Sequence, residues 1–137
     1  CSRQWRGFLQ ALAAEFTQVL SPADLQELMA RVGVRFACAH PLEACNTLPE
    51  LQRGMTDIWR SADWGWVTLE QRQEQLSITH HCAPLLSAMS DGNAEWSLGF
   101  LQGAYQQWFD AAGAGSLRVA PGESLDFWGS ARFSLSR

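Results

Sequence analysis

The apolar residues of this chain change their period partway along, and that change leaves few folds open. Up to residue 59 they recur every three or four positions, as Trp5, Phe8, Leu9, Leu12, Phe16, Val19 and Leu20, then Leu25, Leu28, Met29, Val32 and Phe36, then Leu48, Leu51, Met55, Ile58 and Trp59. Each set draws one apolar stripe along a helix. From residue 64 the period falls to two. Trp64 and Trp66 fall on one face of a short strand and Val67 and Leu69 on the other. In the last segment Leu125, Phe127, Gly129, Ala131, Phe133 and Leu135 face one way, and Asp126, Ser130, Arg132, Ser134 and Ser136 the other. Only Trp128 breaks that polar side. Helices in a run, punctuated by two hairpins, predict an α+β fold. The N-terminal helices and one long later helix pack on an antiparallel sheet of two hairpins, in a single domain over residues 1–137.

Local punctuation supports these elements. Ser21-Pro22-Ala23-Asp24 offers a capping hydroxyl, a proline at the first helical position and an acid at the third; Thr47-Leu48-Pro49-Glu50 repeats the pattern. Gly33 is expected to loosen the end of the second helix, and Pro41 closes it, leaving 38–46 as a connector. A fourth helix, about 94–112, carries Trp96, Phe100, Leu101, Ala104, Tyr105, Trp108 and Phe109 and is apolar around most of its circumference. Gly99 and Gly103, one turn apart on it, read as positions where another backbone comes close. Gly113 and Gly115 end that helix, Leu117 to Ala120 form a short strand, and Pro121-Gly122 turns the chain.

A chain of 137 residues with 47% hydrophobic and 18% charged residues, seven Trp and seven Phe is neither disordered nor a coiled coil. A net charge of −4, with Arg3, Arg6, Arg53 and Arg60 scattered, gives no basic surface for nucleic acid or anionic lipid. No apolar run approaches the roughly 20 residues that span a bilayer, so direct membrane insertion is not expected. Cys1, Cys38, Cys45 and Cys82 lie in a chain large enough to fold without staples, and the expectation is free, buried thiols. With no basic-then-apolar leader in view, the expected compartment is the cytoplasm, the periplasm being the alternative. The chain starts at Cys1, so any segment ahead of it is out of sight.

No arrangement of reactive residues makes an active site. Cys38, His40 and Cys45 with His80, His81 and Cys82 have the ligand types zinc prefers, but their spacing matches no common knuckle. Cys82 could meet His80 or His81 only by way of a turn, since a strand points neighbouring side chains to opposite faces, and the acid pairs Glu43/Glu50 and Glu70/Glu74 read as solvated surface. Gly113-Ala114-Gly115 ends a helix where a phosphate loop has to begin one. Neither enzymatic activity nor a metal or other cofactor is expected.

The aromatic excess has three readings: core, an oligomer interface where tryptophan is enriched, or a carbohydrate surface on which indoles stack against sugar rings. The two-faced apolar hairpin, the all-round apolar fourth helix and Trp128 on a polar face favour the interface, with Trp64, Trp66 and Trp128 as its expected members. A competing reading is a small-molecule-binding sensory domain, its aromatic pocket beside His80 or His81.

"FLQALAAEF", "RVGVRFA", "TLPELQRGMTDIW", "WGWVTLE", "LQGAYQQWF" and "SLRV" stand in an order and spacing that resembles the cellulose biosynthesis accessory protein D family, the D subunits of bacterial cellulose synthase complexes, from about Trp5 to the final strand. The resemblance implies a non-catalytic accessory subunit that assists cellulose secretion and ordering. It implies dimers assembled into a ring-shaped octamer with passages for glucan chains, and partners among the other synthase subunits and a proline-rich accessory protein. The passages belong to the family's N-terminal part, which corresponds here to Ser2, Arg3, Gln4 and Trp5 as glucan- or partner-contacting residues. In the cytoplasm such a protein acts as a scaffold that arrays synthase complexes rather than as a glucan conduit.

Overall fold

The computed structural model describes residues 3–82, 98–122 and 130–137, apart from the side chains of residues 3, 4 and 6. In chain order the described elements are α1 (Arg3–Val19), α2 (Pro22–Ala39), α3 (Leu48–Ser61), β1 (Trp66–Arg72), β2 (Gln75–His81), α4 (Gly99–Ala111), β3 (Arg118–Pro121) and β4 (Ala131–Ser136). The expected α+β architecture is what forms. The early part of the fourth helix and residues 125–129 of the final strand lie outside the described residues.

Both capping motifs work as the sequence suggests. Ser21 is extended, and its hydroxyl accepts the Asp24 N–H at 3.2 Å. Thr47 accepts the Glu50 N–H at 3.3 Å, and the Glu50 carboxylate reaches back to accept the Asn46 N–H at 2.9 Å. Each cap satisfies a main-chain donor that the helix start leaves unpaired.

The strands form one antiparallel sheet in the order β1-β2-β4-β3. Val67 faces His80, Leu69 faces Ile78, and Ile78 in turn faces Phe133, so these residues share the buried side. Thr68, Thr79 and Arg132 line up on the opposite side. α4 is sandwiched between α2 and the inner face, with Leu101, Ala104 and Tyr105 inaccessible to solvent. Its apolar circumference is therefore covered by the chain itself and needs no partner, which corrects one argument for an oligomer interface.

α2 and α4 meet backbone to backbone. A Cβ on Gly33 would lie 2.0 Å from the Phe100 carbonyl oxygen, one on Gly103 1.9 Å from that of Ala30, and one on Gly99 2.4 Å from that of Gln26. Gly99 and Gly103 thus play the packing role read from their spacing. Gly33 does not loosen a helix end: α2 runs on to Ala39, and Gly33 marks where α4 crosses it.

Trp59, fully buried, is the hub of the main core. Phe36 stacks on it nearly parallel at 5.2 Å, while Trp108 and His80 meet it edge-on at 5.2 and 4.9 Å. A second, smaller cluster of Ala13 and Leu25, with Phe16, Leu20 and Met29 against it, fastens α1 to α2. Most of the rest of the α1 stripe is open to solvent: Leu9 is half-buried, but Trp5 is 59% exposed and Phe8 56%.

Candidate functional site

His80 emerges near the C-terminal end of β2 onto the inner face, between Val67 on β1 and Ala131 on β4. It is completely buried. Its Nε2 lies 2.6 Å from the Trp64 carbonyl oxygen and its Nδ1 2.6 Å from the Tyr105 hydroxyl. A carbonyl can only accept, so Nε2 carries the proton and Nδ1 accepts the Tyr105 O–H. Burial lowers the imidazole pKa to about 4, and burial likewise pushes the Tyr105 hydroxyl well above its ordinary value. The pair is neutral and sealed. Both ring nitrogens are in use, so His80 has no free ring atom to offer a ligand.

The two tryptophans of the hairpin do not share a strand face. Asp63 and Gly65 adopt left-handed conformations, φ 57° and 83°, on either side of Trp64, and β1 begins only at Trp66. The turn swings Trp64 inward, where its ring lies 4.9 Å from Phe100 and 5.9 Å from Trp59. Glycine is required at 65, because a Cβ there would sit 1.8 Å from the His81 carbonyl oxygen. Trp66 stays on the outer face, 39% exposed, stacked at 5.2 Å on His81, whose Nε2 is 3.0 Å from the Thr68 hydroxyl. Of the residues expected at an interface, Trp64 is half-buried against the chain's own core and Trp66 lies on the surface; Trp128 lies outside the described residues. Of the N-terminal set, Trp5 is exposed on α1, while Ser2 and the side chains of Arg3 and Gln4 also lie outside what is described.

The thiols differ from expectation in burial. Cys38 and Cys82 are exposed and Cys45 half-buried, and all three are unpaired. Cys38 follows Ala37, and it is Ala37 that faces the core, so its neighbour points outward. Cys38 and Cys45 line a cavity of about 310 Å³ between the ends of α2 and α4 and the connector. Among the described residues no three His, Cys, Asp or Glu side chains converge as a metal site would require.

Tyr105 as the partner of His80 was not read from the sequence. The available signal was the single hydroxyl among the apolar positions of α4, which has to find a buried acceptor.

Fold and site together define a class: an α+β protein whose aromatic residues build a core, with one apolar helix face left open. The sequence pattern of the family of cellulose synthase D subunits matches residues 1–125, and the chain belongs to that family. Among its relatives, a cellulose synthase operon protein D of Komagataeibacter xylinus is 28% identical over 103 residues, covering 74% of this chain and 66% of the relative. The protein of the same name from Komagataeibacter sucrofermentans is 27% identical over the same length and coverage. The chain thus spans about two thirds of the length of the curated relatives it matches. No helix among the described residues is long and apolar enough to cross a membrane.

Proposed function

We propose that this chain is a non-catalytic accessory protein of bacterial cellulose biosynthesis that works as a homo-oligomer, dimer-based and ring-like, alongside the other synthase subunits and a proline-rich accessory protein. Family membership supports the cellulose role. The observation that carries the self-assembly is the open stripe on α1. Trp5, Phe8 and Leu12 are successive members of one apolar face, with exposures of 59%, 56% and 36%. Large apolar side chains contiguous on a surface mark an interaction site. Trp66, exposed on the outer face of the sheet, remains a candidate interface residue, and so does Trp128. In this reading the assembly arrays synthase complexes from the cytoplasmic side; guidance of glucan chains by the N-terminal segment is the alternative, and it would place the protein with the emerging polymer.

Light scattering on the purified chain tests the assembly. A single species several times the 15.2 kDa chain mass is expected at micromolar concentration, and a monomer refutes the reading. Trp5→Ser with Phe8→Ser should disperse the oligomer while leaving the near-ultraviolet signal of the main core intact. Trp66→Asp or Trp128→Asp should do the same if either lies in the interface, because a charge taken out of water there costs several kcal/mol. In cellulose-producing cells, replacing His40, His81 or Cys82 should leave polymer output near normal, whereas dispersing substitutions should disorder the cellulose.

A further inference from the structure

The edge of a sheet presents unpaired N–H and C=O groups, which can pair with any strand that reaches them. Here β1 and β3 are the edges, and a helix meets each of them with a pair of polar side chains four residues apart. On β3, the Gln106 Nε2 donates to the Leu117 carbonyl at 3.0 Å, while its Oε1 accepts the Val119 N–H at 2.8 Å. One side-chain amide thus offers the donor and acceptor that a neighbouring strand would offer. One helical turn earlier, Gln102 Nε2 donates to the Val119 carbonyl at 3.0 Å. The next outward position is Pro121, which has no N–H to leave open.

On β1 the same arrangement comes from α3. The Thr56 hydroxyl accepts the Val67 N–H and donates to the Val67 carbonyl, both at 3.3 Å, and Gln52 Oε1 accepts the Leu69 N–H at 2.8 Å. The residues engaged alternate along each edge strand, as outward-pointing main-chain groups must in an antiparallel pair. Past Leu69 the edge carries Glu70 and Arg72, paired at 2.9 Å and more than 60% exposed, and charge at an edge discourages strand pairing in its own way. Water could satisfy an exposed edge without ordering any side chain. Fixing long glutamine side chains has an entropic cost, which is offset here by the bonds they make to part-buried main-chain groups.

We propose that Gln52, Thr56, Gln102 and Gln106 are edge guards: they occupy the positions an added strand would take, so that copies of this chain associate through side-chain surfaces and the sheet does not grow. The proposal rests on these bonds alone and holds for a monomer or an oligomer.

Residue-resolved hydrogen exchange on the full chain tests it first without any substitution. The Val67, Leu69 and Val119 amides should be protected like the central Ile78 and Phe133, although they lie on edge strands. Exchange as fast as that of the exposed Gln71 overturns the proposal. Two near-isosteric variants then remove the guards, Gln106→Met at β3 and Thr56→Val at β1. In each, the guarded amide should exchange at least about tenfold faster while Ile78 and Phe133 keep their protection. The variant should also grow steadily in light scattering with rising thioflavin T fluorescence, at concentrations where the parent holds one size. Thr56→Ser, which keeps the hydroxyl, should behave as the parent. Faster amide exchange with an unchanged particle size refutes the guard role, since an opened edge would then recruit nothing.

Discussion

Between pH 7 and pH 4 the protein should lose about 3 kcal/mol of stability through His80 alone. The imidazole is held neutral in the folded protein, with its pKa lowered to about 4 from an ordinary 6.5, chiefly because burial disfavours the charged ring. As the pH falls through 6.5 the unfolded chain takes up a proton that the folded chain refuses. Stability is therefore complete above the unfolded value and drains away down to the folded one. At about 1.4 kcal/mol for each pH unit between them, the loss is about 3 kcal/mol. The geometry gives the same sign. A protonated Nδ1 becomes a donor facing the Tyr105 hydroxyl, whose own proton already points at it across 2.6 Å, and Tyr105 has no exposed side to turn to. Urea unfolding at several pH values, run on the parent and on His80→Gln, isolates this contribution because the carboxylates titrate in both. The stability advantage of the parent should shrink steadily as the pH falls from 7 to 4. Tyr105→Phe provides a second arm: losing a donor to the neutral ring raises the folded pKa, so its acid loss should be smaller than the parent's. A parent–His80→Gln difference that stays flat over this range would refute the reasoning.

Gly103→Ala should destabilise the protein by about 1–3 kcal/mol or more, read from urea or thermal unfolding, because its Cβ would lie 1.9 Å from the Ala30 carbonyl oxygen and force two packed helices apart. Ser21→Ala and Thr47→Ala should each cost about 1 kcal/mol in the same assay, and the two losses should add, since each removes one cap from a different helix. In the folded protein, Cys38 and Cys82 should react promptly with a thiol reagent and Cys45 more slowly, following their exposure; denaturant should then change the count little among these three.

What was legible in the sequence is what short-range physics decides. Helix starts could be read because Ser21 and Thr47 each act on an N–H three residues away. The buried faces of β1 and β4 could be read because side chains alternate along a strand, as Val67 and Leu69 or Phe133 and Leu135 do. Two consequences of tertiary packing were not legible. Trp64 looked like the strand partner of Trp66, and only the left-handed residues around it send it inward. An apolar α4 looked like surplus surface, and only the glycine contact with α2 shows how the chain surrounds it. The His80–Tyr105 bond joins residues 25 positions apart, a pairing no local pattern encodes. The same holds for the edge glutamines, which on their helices look like ordinary polar positions.

The attachment of α1 by its own small cluster has a consequence for how the protein comes apart. Ala13 and Leu25, with Phe16, Leu20 and Met29 around them, form a small contact patch that touches the one centred on Trp59 through Met29. Releasing the helix breaks only that patch, and the hinge at Leu20–Ser21 already lies outside both helices. Unfolding should therefore proceed in two stages, with the arm leaving first and the Trp59 hub melting later as a separate cooperative unit. Hydrogen exchange of the α1 amides reports the first event, and the fluorescence of Trp59, Trp64 and Trp108 the second. Because it detaches without disturbing the sheet, the arm is also the one described element that two copies could trade between them, each lending its first helix to the other.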